Sequence, residues 1–425
     1  MKIAVVGSGI SGLSCAYRLV QGGHDVSLFE AGAYFGGHSN TVDVTFGGIT
    51  HGVDTGFLVF NHRTYPQLTA LFDELGVITA PSDMGFSVKL PTAGRMLEWA
   101  GGNLDQVFCQ RRNLFRPAFL RMLRDILRFN RAATALAQGG APRMSLGAYL
   151  DEQGYSSQFR NWYLLPMAAC IWSCPSEQML AFPLASFVQF CHNHGLLQVN
   201  NRPQWHTVRG GSRQYVQRLV AAIPNRHLNT PVVSVTRGVH GATLATAEGA
   251  AQFDEVVLAC HSDQSLALLG DASAEERGVL AAVRYQANRA VLHTDVRCLP
   301  ADQKAWSAWN YEGSGDDDGH GPQRVCVHYL LNKLQPLPFE QPVIVSLNPL
   351  NEPAAGSVLR EFSYAHPVFD AAAVEAQRRL HDIQGRNRVW FAGAWTGYGF
   401  HEDGLKSGLA VAAAIASRAQ VARAA

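Results

Sequence analysis

The chain opens with two apolar runs on either side of a helical pattern. Residues 1–6 are apolar and rich in β-branched side chains, which is typical of a buried strand. Residues 13–20 have the spacing of a helix that ends at Gly22-Gly23, and residues 24–29 form a second strand-like run. The pattern predicts a strand–helix–strand unit at the start of the fold.

A glycine motif lies at the first turn of this unit. Gly7, Gly9 and Gly12 fit the spacing G-x-G-x-x-G. In that order, the three glycines allow a tight turn, backbone approach to a diphosphate, and close packing of helix on strand. The N–H groups at the helix N-terminus favour the anion, and Glu30 would accept hydrogen bonds from the adenosine ribose. The alternative is a plain glycine-rich turn. However, the strand, the helix, the second strand and the acid follow one another in the order and spacing of a dinucleotide site, which favours that site.

The rest of the chain alternates between two kinds of segment. Residues 227–260 hold short strand-like runs and then a buried strand, and residues 389–391 form a closing strand before a helix from about Gly404. We predict an α/β fold in which a Rossmann-like cofactor domain is interleaved with a mixed-sheet substrate domain that has a helical cover. The predicted cofactor segments are 1–81, 204–279 and 383–425, and the predicted substrate segments are 82–203 and 280–382.

Composition narrows the class of protein. With 47% hydrophobic residues and a net charge of +1, the 425-residue chain is expected to be globular and not to bind nucleic acid. No run approaches the ~20 apolar residues of a transmembrane helix. The eight cysteines contain no C-x-x-C pair, which suits a reducing cytoplasm and predicts no metal site.

One segment departs from this near-zero net charge. Residues 110–131 carry seven arginines and one acid, Asp125. Such a basic amphipathic helix can lie on an anionic membrane, which would place a cytoplasmic protein at the inner face of the membrane. Alternatively, the helix packs on its own domain with a solvated basic face. The arginines that recur at helical spacing are Arg121, Arg124, Arg128 and Arg131.

Two further stretches favour a flavin over a nicotinamide cofactor. Gly36-Gly37 form another flexible turn after Glu30, and His38 follows within reach of cofactor oxygens. Gly393 lets the backbone approach a ribityl chain, and the helix after it directs its N-terminus at the flavin pyrimidine. Asp54 is expected to anchor a turn beside the cofactor. The remaining predicted cofactor contacts are Ile10, Ser11, Ala31, Ser39, Thr55, Gly56, Phe57, Ala394, Gly404 and Leu405.

These features resemble the superfamily of flavin amine oxidases, phytoene desaturases and protoporphyrinogen oxidases. Longer motifs are similar to a narrower family, the bacterial flavin oxidoreductases that resemble the N-terminal domain of plant cyclopropane fatty acid synthases. The resemblance covers residues 1–415 and implies a two-dinucleotide-type FAD-binding domain, in which the Val233 backbone would bind adenine. The motifs are HGVDTGFLVFNHRTYPQL (51–68), MAACIWSCPSEQML (167–180), FCHNHGLLQVNNRPQWHTV (190–208), AVLHTDVRCLP (290–300), AWSAWNY (305–311) and GYGFHEDGLKSG (397–408).

Two positions depart from the superfamily pattern. His38 stands where an arginine usually follows the glycine pair, and Ala394 stands where an acid usually follows Phe-Ala-Gly. Diphosphate and ribityl contacts are therefore expected to differ in detail. Because the C-terminal motif contains no cysteine, the resemblance implies FAD bound noncovalently.

Aromatic residues are expected to line a substrate cavity between the two domains, although each could equally be core. Tyr398 and His401 are the predicted catalytic residues, because both lie in the loop beside the flavin. His401 either orients the substrate or accepts a proton, or it is a structural group held by Glu402 or Asp403. The predicted substrate wall consists of Phe57, Trp172, Trp309, Tyr329 and Phe400.

The resemblance implies hydride transfer from a fatty acyl chain, methylated or unsaturated, to flavin N5. The expected partner is an S-adenosylmethionine-dependent fatty acid methyltransferase or cyclopropane synthase, acting on fatty acyl or phospholipid substrates. The alternatives are amine oxidation, polyisoprenoid desaturation, redox-neutral fatty acid isomerisation and an accessory role for the methyltransferase. Amine oxidation usually goes with a lysine in the substrate sheet, and neither Lys89 nor Lys333 lies in a motif with that role.

Overall fold

The computed structural model describes residues 1–92, 94–172, 176–198, 202–238, 241–314 and 326–424. Its first part is the predicted strand–helix–strand unit, followed by a hairpin and a second helix. Ile3, Ala4 and Val5 are fully buried, as expected of a central strand. The elements are β1 (Lys2–Val6), α1 (Ile10–Gln21), β2 (Asp25–Phe29), β3 (Thr41–Phe46), β4 (Ile49–Asp54), α2 (Pro66–Leu75) and β5 (Thr79–Ser82).

Two strands and then a run of helices follow over residues 86–193. The longest helix of this segment begins at Pro117, a favoured residue for the first helical position because its missing N–H would have no intrahelical partner there. The elements are β6 (Phe86–Thr92), β7 (Arg95–Ala100), α3 (Leu104–Val107), α4 (Pro117–Gly139), α5 (Leu146–Glu152), α6 (Ser157–Phe159), α7 (Leu165–Trp172), α8 (Ser176–Leu180) and α9 (Leu184–Asn193).

The middle of the chain returns to short strands and helices. The elements are β8 (Trp205–Val208), α10 (Arg213–Ala221), β9 (Asn225–His227), β10 (Val232–Gly238), β11 (Gly241–Thr246), β12 (Gly249–Phe253), β13 (Glu255–Leu258), α11 (Ser262–Leu268), α12 (Ala274–Leu280) and β14 (Arg284–His293). The last part contains β15 (Trp309–Glu312), β16 (Cys326–Leu330), α13 (Leu331–Leu334), β17 (Ile344–Leu347), β18 (Val358–Val368), α14 (Ala371–Arg378), β19 (Val389–Phe391) and α15 (His401–Ala424).

A five-stranded parallel sheet gathers strands from both ends and the middle of the chain, in the order β19-β13-β1-β2-β9. Helices α1 and α15 pack closely together beside it, since a Cβ on Gly408 would lie 2.2 Å from the Ser11 carbonyl oxygen. The glycine motif therefore lies next to the first turn of the C-terminal helix, and the two ends of the chain meet at one place.

A seven-stranded mixed sheet forms the second layer, in the order β18-β14-β17-β16-β15-β6-β7. Only β6 and β15 pair in parallel among the described neighbours of this sheet. Helices α4 to α9 enclose their own aromatic core beside it, built around Phe129, Phe159 and Phe187. The predicted α/β class, with a Rossmann-like sheet, a mixed sheet and a helical cover, is confirmed.

The start of the C-terminal helix differs from the prediction. Helix α15 begins at His401 and not at about Gly404. The Gly404 N–H donates to the Phe400 carbonyl oxygen at 3.0 Å, so regular helical bonding already includes the His-Glu-Asp triplet. Polar residues such as this triplet are common in loops. The two acids also favour the first turn of a helix, because the helix N-terminus is electropositive. No helix of the described residues is long and apolar enough to cross a membrane.

Candidate cofactor and substrate site

A cavity of ≈ 730 Å³ lies between the parallel sheet, the mixed sheet and the helical cover. One part is lined by the glycine motif at the carboxyl ends of β1 and β2. The other part is lined by aromatic side chains from α7, α9, β15, β16 and the loop before α15. A pocket at the carboxyl edge of a parallel sheet is the usual position for a dinucleotide.

The glycine motif has the geometry that a diphosphate site requires. Gly7 has φ +99°, which favours glycine, and a Cβ on Gly12 would lie 1.9 Å from the Gly7 carbonyl oxygen. A Cβ on Gly9 would meet no atom of the described structure within 4 Å, because Gly9 faces the cavity. Gly9 is also the N-cap of α1 and has no side chain to occupy the first N–H groups. An anion can therefore reach the N-terminus of α1.

Glu30 follows β2 and lines the same part of the cavity. One carboxylate oxygen accepts hydrogen bonds from the backbone and hydroxyl of Ser8, and the other accepts from the Gly32 N–H at 2.7 Å. The protein's own donors thus fix the orientation of the carboxylate. Each oxygen has further lone pairs, so the position of Glu30 fits its predicted role at a ribose.

His38 occupies the position of the missing arginine and lies on the cavity wall. Its Nε2 is buried and has no hydrogen-bond partner within the described chain. Burial, and then the charges of His366, His261 and His401, hold the pKa of His38 well below 6.5. A neutral imidazole with a free ring nitrogen can donate one hydrogen bond to a phosphate or ribityl oxygen. The open face of Gly9 and this unpaired nitrogen fit a flavin dinucleotide.

His366 is a neighbour of His38 that the sequence did not single out. The two rings lie 5.2 Å apart between centroids, and His366 also lines the cavity. Asn288 Nδ2 lies 2.9 Å from His366 Nδ1, and Asn288 also binds the Gln286 carbonyl oxygen. An amide that donates to Nδ1 leaves the His366 proton on Nε2. Burial lowers the pKa of His366 to about 4, so this ring is neutral at pH 7.

Most of the predicted cofactor residues line the cavity, and a smaller group does not. Gly12, Ser39, Gly404 and Leu405 lie behind the wall; Gly404 packs against Ile10 and Ser11. The Val233 side chain is 59% exposed, whereas Val232 lines the cavity; the backbone role of Val233 stays a prediction. The predicted residues on the wall are Gly7, Gly9, Ile10, Ser11, Glu30, Ala31, Gly36, Gly37, His38, Thr55, Gly56, Phe57, Gly393 and Ala394.

Asp54 lies behind the wall and joins three parts of the chain. Its carboxylate accepts hydrogen bonds from Thr41 Oγ1 at 2.6 Å, the Ser212 N–H at 2.9 Å and Gln335 Nε2 at 2.9 Å. Burial raises the pKa of Asp54 to about 6, although these hydrogen bonds oppose the rise. The residue thus anchors the β4 turn to α10 and to the end of α13, in agreement with the structural role expected of it.

Aromatic side chains from four elements and the loop before α15 meet in the other part of the cavity. The Phe400 ring stacks on Phe190 at 4.9 Å between centroids and contacts Trp172 edge-on at 6.5 Å. Tyr398 lies 5.8 Å from Phe190, and Trp309 packs edge-on against Tyr329 at 5.0 Å. All the residues predicted for the substrate wall line the cavity.

His401 lies on the wall between the two parts of the cavity. Its ring stacks on Phe57 at 3.8 Å between centroids, and Nε2 lies 2.6 Å from the Tyr215 hydroxyl. Ser39 completes the group, since its hydroxyl contacts both Tyr215 and His401 Nε2. Burial lowers the pKa of His401 to about 3, so the imidazole is neutral at physiological pH. Nδ1 is then the ring nitrogen left for a bound molecule.

The two acids beside His401 do not hold it. The Glu402 carboxylate accepts hydrogen bonds from the N–H groups of Gln67 and Leu68, both at 3.0 Å, at the N-terminus of α2. Asp403 Oδ2 accepts from the N–H groups of Tyr398 and Phe400, both at 3.1 Å. Asp403 therefore fixes the loop that carries Tyr398 and Phe400, which form part of the aromatic wall of the cavity. The predicted alternative was a histidine held by Glu402 or Asp403, but His401 contacts Tyr215 instead.

Several wall residues were not assigned from the sequence. His194 stacks on Phe190 at 4.0 Å, and its Nδ1 lies 3.0 Å from the Phe190 carbonyl oxygen. Burial lowers the pKa of His194 to about 4. Cys260 also lines the cavity; burial raises the pKa of its thiol to about 11, so the thiol is not poised as a nucleophile. The motif at 190–208, which contains Phe190, His194 and Trp205, was the available signal.

Of two overlapping groups of potential metal donors among the described residues, one lies in the mixed sheet on strands β15 and β16. His328 Nε2 lies 3.1 Å from Glu312 Oε2 and 3.3 Å from Cys326 Sγ. Lys89 Nζ lies 3.1 Å from Glu312, and the Ser346 hydroxyl lies 2.6 Å from His328 Nδ1. Each ring nitrogen and the carboxylate thus has a partner within the protein, and the ion pair with Lys89 already balances the glutamate.

Comparisons with known proteins identify a family that matches this chain. The sequence pattern of the flavin containing amine oxidoreductase family matches residues 10–291. A putative flavin-containing monoamine oxidase of Mycobacterium tuberculosis is 28% identical over 275 residues, covering 61% of this chain and 56% of that protein. A probable flavin-containing monoamine oxidase A of Dictyostelium discoideum is 25% identical over 257 residues, covering 58% and 54%. The chain therefore matches little more than half the length of these curated relatives.

Solved structures share the fold over nearly the whole chain. Cyclohexylamine oxidase from Brevibacterium oxydans superposes with a TM-score of 0.70 at 17% identity, covering 99% of each chain. A CLA-producing fatty acid isomerase from P. acnes superposes with a TM-score of 0.66 at 15% identity, covering 97% of this chain and 98% of that one. At these identities the likeness shows the fold alone.

Proposed function

Because this chain belongs to the flavin-containing amine oxidoreductase family, we propose that it is an FAD-dependent oxidoreductase whose substrate is a lipophilic molecule, in particular a fatty acyl chain. Bound FAD would supply the acceptor for a hydride taken from the substrate. The observation that carries the proposal is the continuity of the cavity, which runs from the open glycine turn to the aromatic wall.

The residues at the glycine turn provide complementary contacts for a noncovalent FAD. The N-terminus of α1 at Gly9 faces the cavity for a diphosphate, and Glu30 follows β2 for the adenosine ribose. His38 would donate its free ring N–H to a cofactor oxygen in place of the arginine found in the wider superfamily. Gly56 brings the chain close beneath His38, since a Cβ there would lie 2.3 Å from the His38 carbonyl oxygen.

The charge of the wall supports a neutral, lipophilic substrate. Glu30 is the only carboxylate among the described residues that line the cavity, and it lies in the part lined by the glycine motif. Neither Lys89 nor Lys333 lines the cavity; Lys89 is paired with Glu312 and Lys333 is exposed. An ammonium group at the aromatic wall would therefore have no carboxylate partner there, whereas an acyl chain would replace water against Trp172, Phe190 and Phe400.

The residues around the wall can orient such a chain and receive its proton. The Tyr215 contact fixes the His401 ring, and the Phe57 stack restricts its rotation. Neutral imidazoles at His401 and His194 can each accept a proton as hydride leaves the neighbouring carbon. The apolar side chains around them exclude water from that step. The fatty acid isomerase neighbour shares this fold, so a redox-neutral reaction is the second candidate.

Anaerobic titration of the holoenzyme tests the substrate class. We expect methylated or unsaturated acyl lipids to bleach the absorbance of oxidised flavin, whereas primary amines of similar size leave it unchanged. Product formation without net bleaching would identify an isomerase. Bleaching by amines alone would contradict the acyl proposal, and binding of lipid with neither bleaching nor product would indicate an accessory protein.

Truncation of the wall is expected to act on substrate binding. Phe400→Ala removes an apolar ring that stacks on Phe190 and no titrating group. Burial of such a ring contributes about 1.5–3 kcal/mol, so KM should rise by roughly tenfold or more while the rate of flavin reduction at saturation changes little. Phe46→Ala is the matched control, because that phenylalanine packs on Phe339 and does not line the cavity. A fall in the saturated rate with unchanged KM would assign Phe400 to the chemical step.

A further inference from the structure

One surface of helix α4 combines arginines with exposed leucines. The exposed positions of the helix recur at intervals of three and four residues, so they form one face. Leu120 and Leu127 on this face are 43% and 60% exposed, which is high for leucine in a helix that packs on a core. We call this set the basic-apolar face; its members are Leu120, Arg121, Arg124, Leu127, Arg128 and Arg131.

The opposite face of α4 fixes the orientation of the helix. Phe119, Met122 and Phe129 are buried, and Phe129 contacts Phe187 of α9 at 6.4 Å between ring centroids. Asp125, the one acid of residues 110–131, is also buried, and its Oδ2 accepts a hydrogen bond from the Ser156 hydroxyl at 2.6 Å. The basic-apolar face therefore contains no negative charge of its own helix.

Most of the positive charge on this face is free. Arg128 lies over the Tyr155 ring at 3.9 Å and pairs with Asp125 at 3.7 Å. No ion pair within the described part of the chain involves Arg121, Arg124 or Arg131, and all three are exposed. The turn before the helix adds Leu114 and Phe115, which are 42% and 86% exposed. Phe115 is the most exposed of the large hydrophobic side chains that the structure describes.

The face also lies close to the cavity. Phe129 beneath it contacts Phe187, which packs on Trp172 at 5.8 Å between ring centroids, and Trp172 lines the aromatic wall. We infer that the basic-apolar face, with Leu114 and Phe115, docks this protein on an anionic phospholipid surface. The arginines bind lipid phosphates, and Phe115, Leu120 and Leu127 enter the layer of acyl chains. This orientation would bring the aromatic wall within a few side-chain layers of the acyl chains.

Flotation of the holoenzyme with vesicles tests the inference. We expect binding to vesicles of phosphatidylcholine with phosphatidylglycerol, weaker binding at high salt, and little binding to phosphatidylcholine alone. Each free arginine should strengthen binding about fivefold at low salt, so R121Q/R124Q/R131Q should weaken it roughly 10²-fold. Phe115→Ser should weaken binding about tenfold or more but keep the salt dependence, because it removes insertion and not charge.

The matched control is R226Q/R277Q/R386Q, which removes three exposed arginines elsewhere on the surface. Flavin content of each variant reports that it has folded. The inference is overturned if the parent does not float with anionic vesicles, or if the control variant weakens binding as much as the α4 variant. If the parent does not float, a protein partner is the alternative occupant of the basic-apolar face. Flotation does not depend on turnover, so a failure of the acyl-substrate proposal would appear in the flavin titration and not here.

Discussion

A Gly9→Val variant is expected to fold normally and to lose its flavin. The Cβ of the added side chain would meet no described atom within 4 Å, and Gly9 lines the cavity, so the fold leaves room for the substitution. The same side chain would occupy the approach of a diphosphate to the N-terminus of α1. Loss of two or three hydrogen bonds to a charged group, at about 1.5–3 kcal/mol each, predicts at least ~10²-fold weaker cofactor binding.

Flavin released by acid from the purified protein measures this effect, and circular dichroism reports the fold. Gly270→Val is the matched control, because a Cβ there would also meet no atom within 4 Å and Gly270 does not line the cavity. Gly12→Val should behave differently from both, since its Cβ would overlap the Gly7 carbonyl and destabilise the unit. Full flavin occupancy in Gly9→Val would mean that the diphosphate lies elsewhere.

The cofactor part of the site was predictable because its signals are local. Gly7, Gly9 and Glu30 lie within one strand–helix–strand unit, whose geometry follows from apolar spacing and glycine positions. The closing strand and the helix after it were also predicted to lie at the cofactor, since Gly393 allows close approach of the backbone and the helix directs its N-terminus at the flavin. The first turn of α15 was misplaced, because polar side chains suit both a loop and a helix N-terminus.

The rest of the site depends on contacts that no local pattern records. Tyr215 is in a helix in which four of the nine residues are Arg or Gln, yet it is fully buried and reaches His401 across 186 positions of the chain. His366 and Asn288 meet only because β14 and β18 pair in one register. The contact between Asp54 and Gln335 is likewise non-local, since it joins the predicted cofactor segment 1–81 to the predicted substrate segment 280–382. Such partners follow from the assembled tertiary structure and not from the spacing along the sequence.

A His401→Ala variant is expected to retain flavin and to slow its reduction by the substrate about 10²-fold, the usual cost of losing a general base. The variant removes the Phe57 stack and Nδ1, the one His401 ring nitrogen not tied to Tyr215. Because burial lowers the pKa of His401 to about 3, the parent histidine is neutral between pH 5 and 9. The rate of reduction in the parent should therefore show no inflection from this group in that range. Stopped-flow spectra under anaerobic conditions measure both properties.

Tyr215→Phe separates a chemical role of His401 from a packing role. This variant keeps the aromatic ring behind the wall and the Phe57–His401 stack, but it removes the hydroxyl 2.6 Å from Nε2. If Nδ1 accepts the proton, the Nε2 contact stabilises the charged ring that results, so reduction should slow about tenfold, which corresponds to ~1.4 kcal/mol. The double variant with His401→Ala should then be no slower than His401→Ala alone. Parental rates in both single variants would show that His401 only packs on Phe57. The neutral imidazole of His194, which also lines the aromatic wall, would then be the proton acceptor.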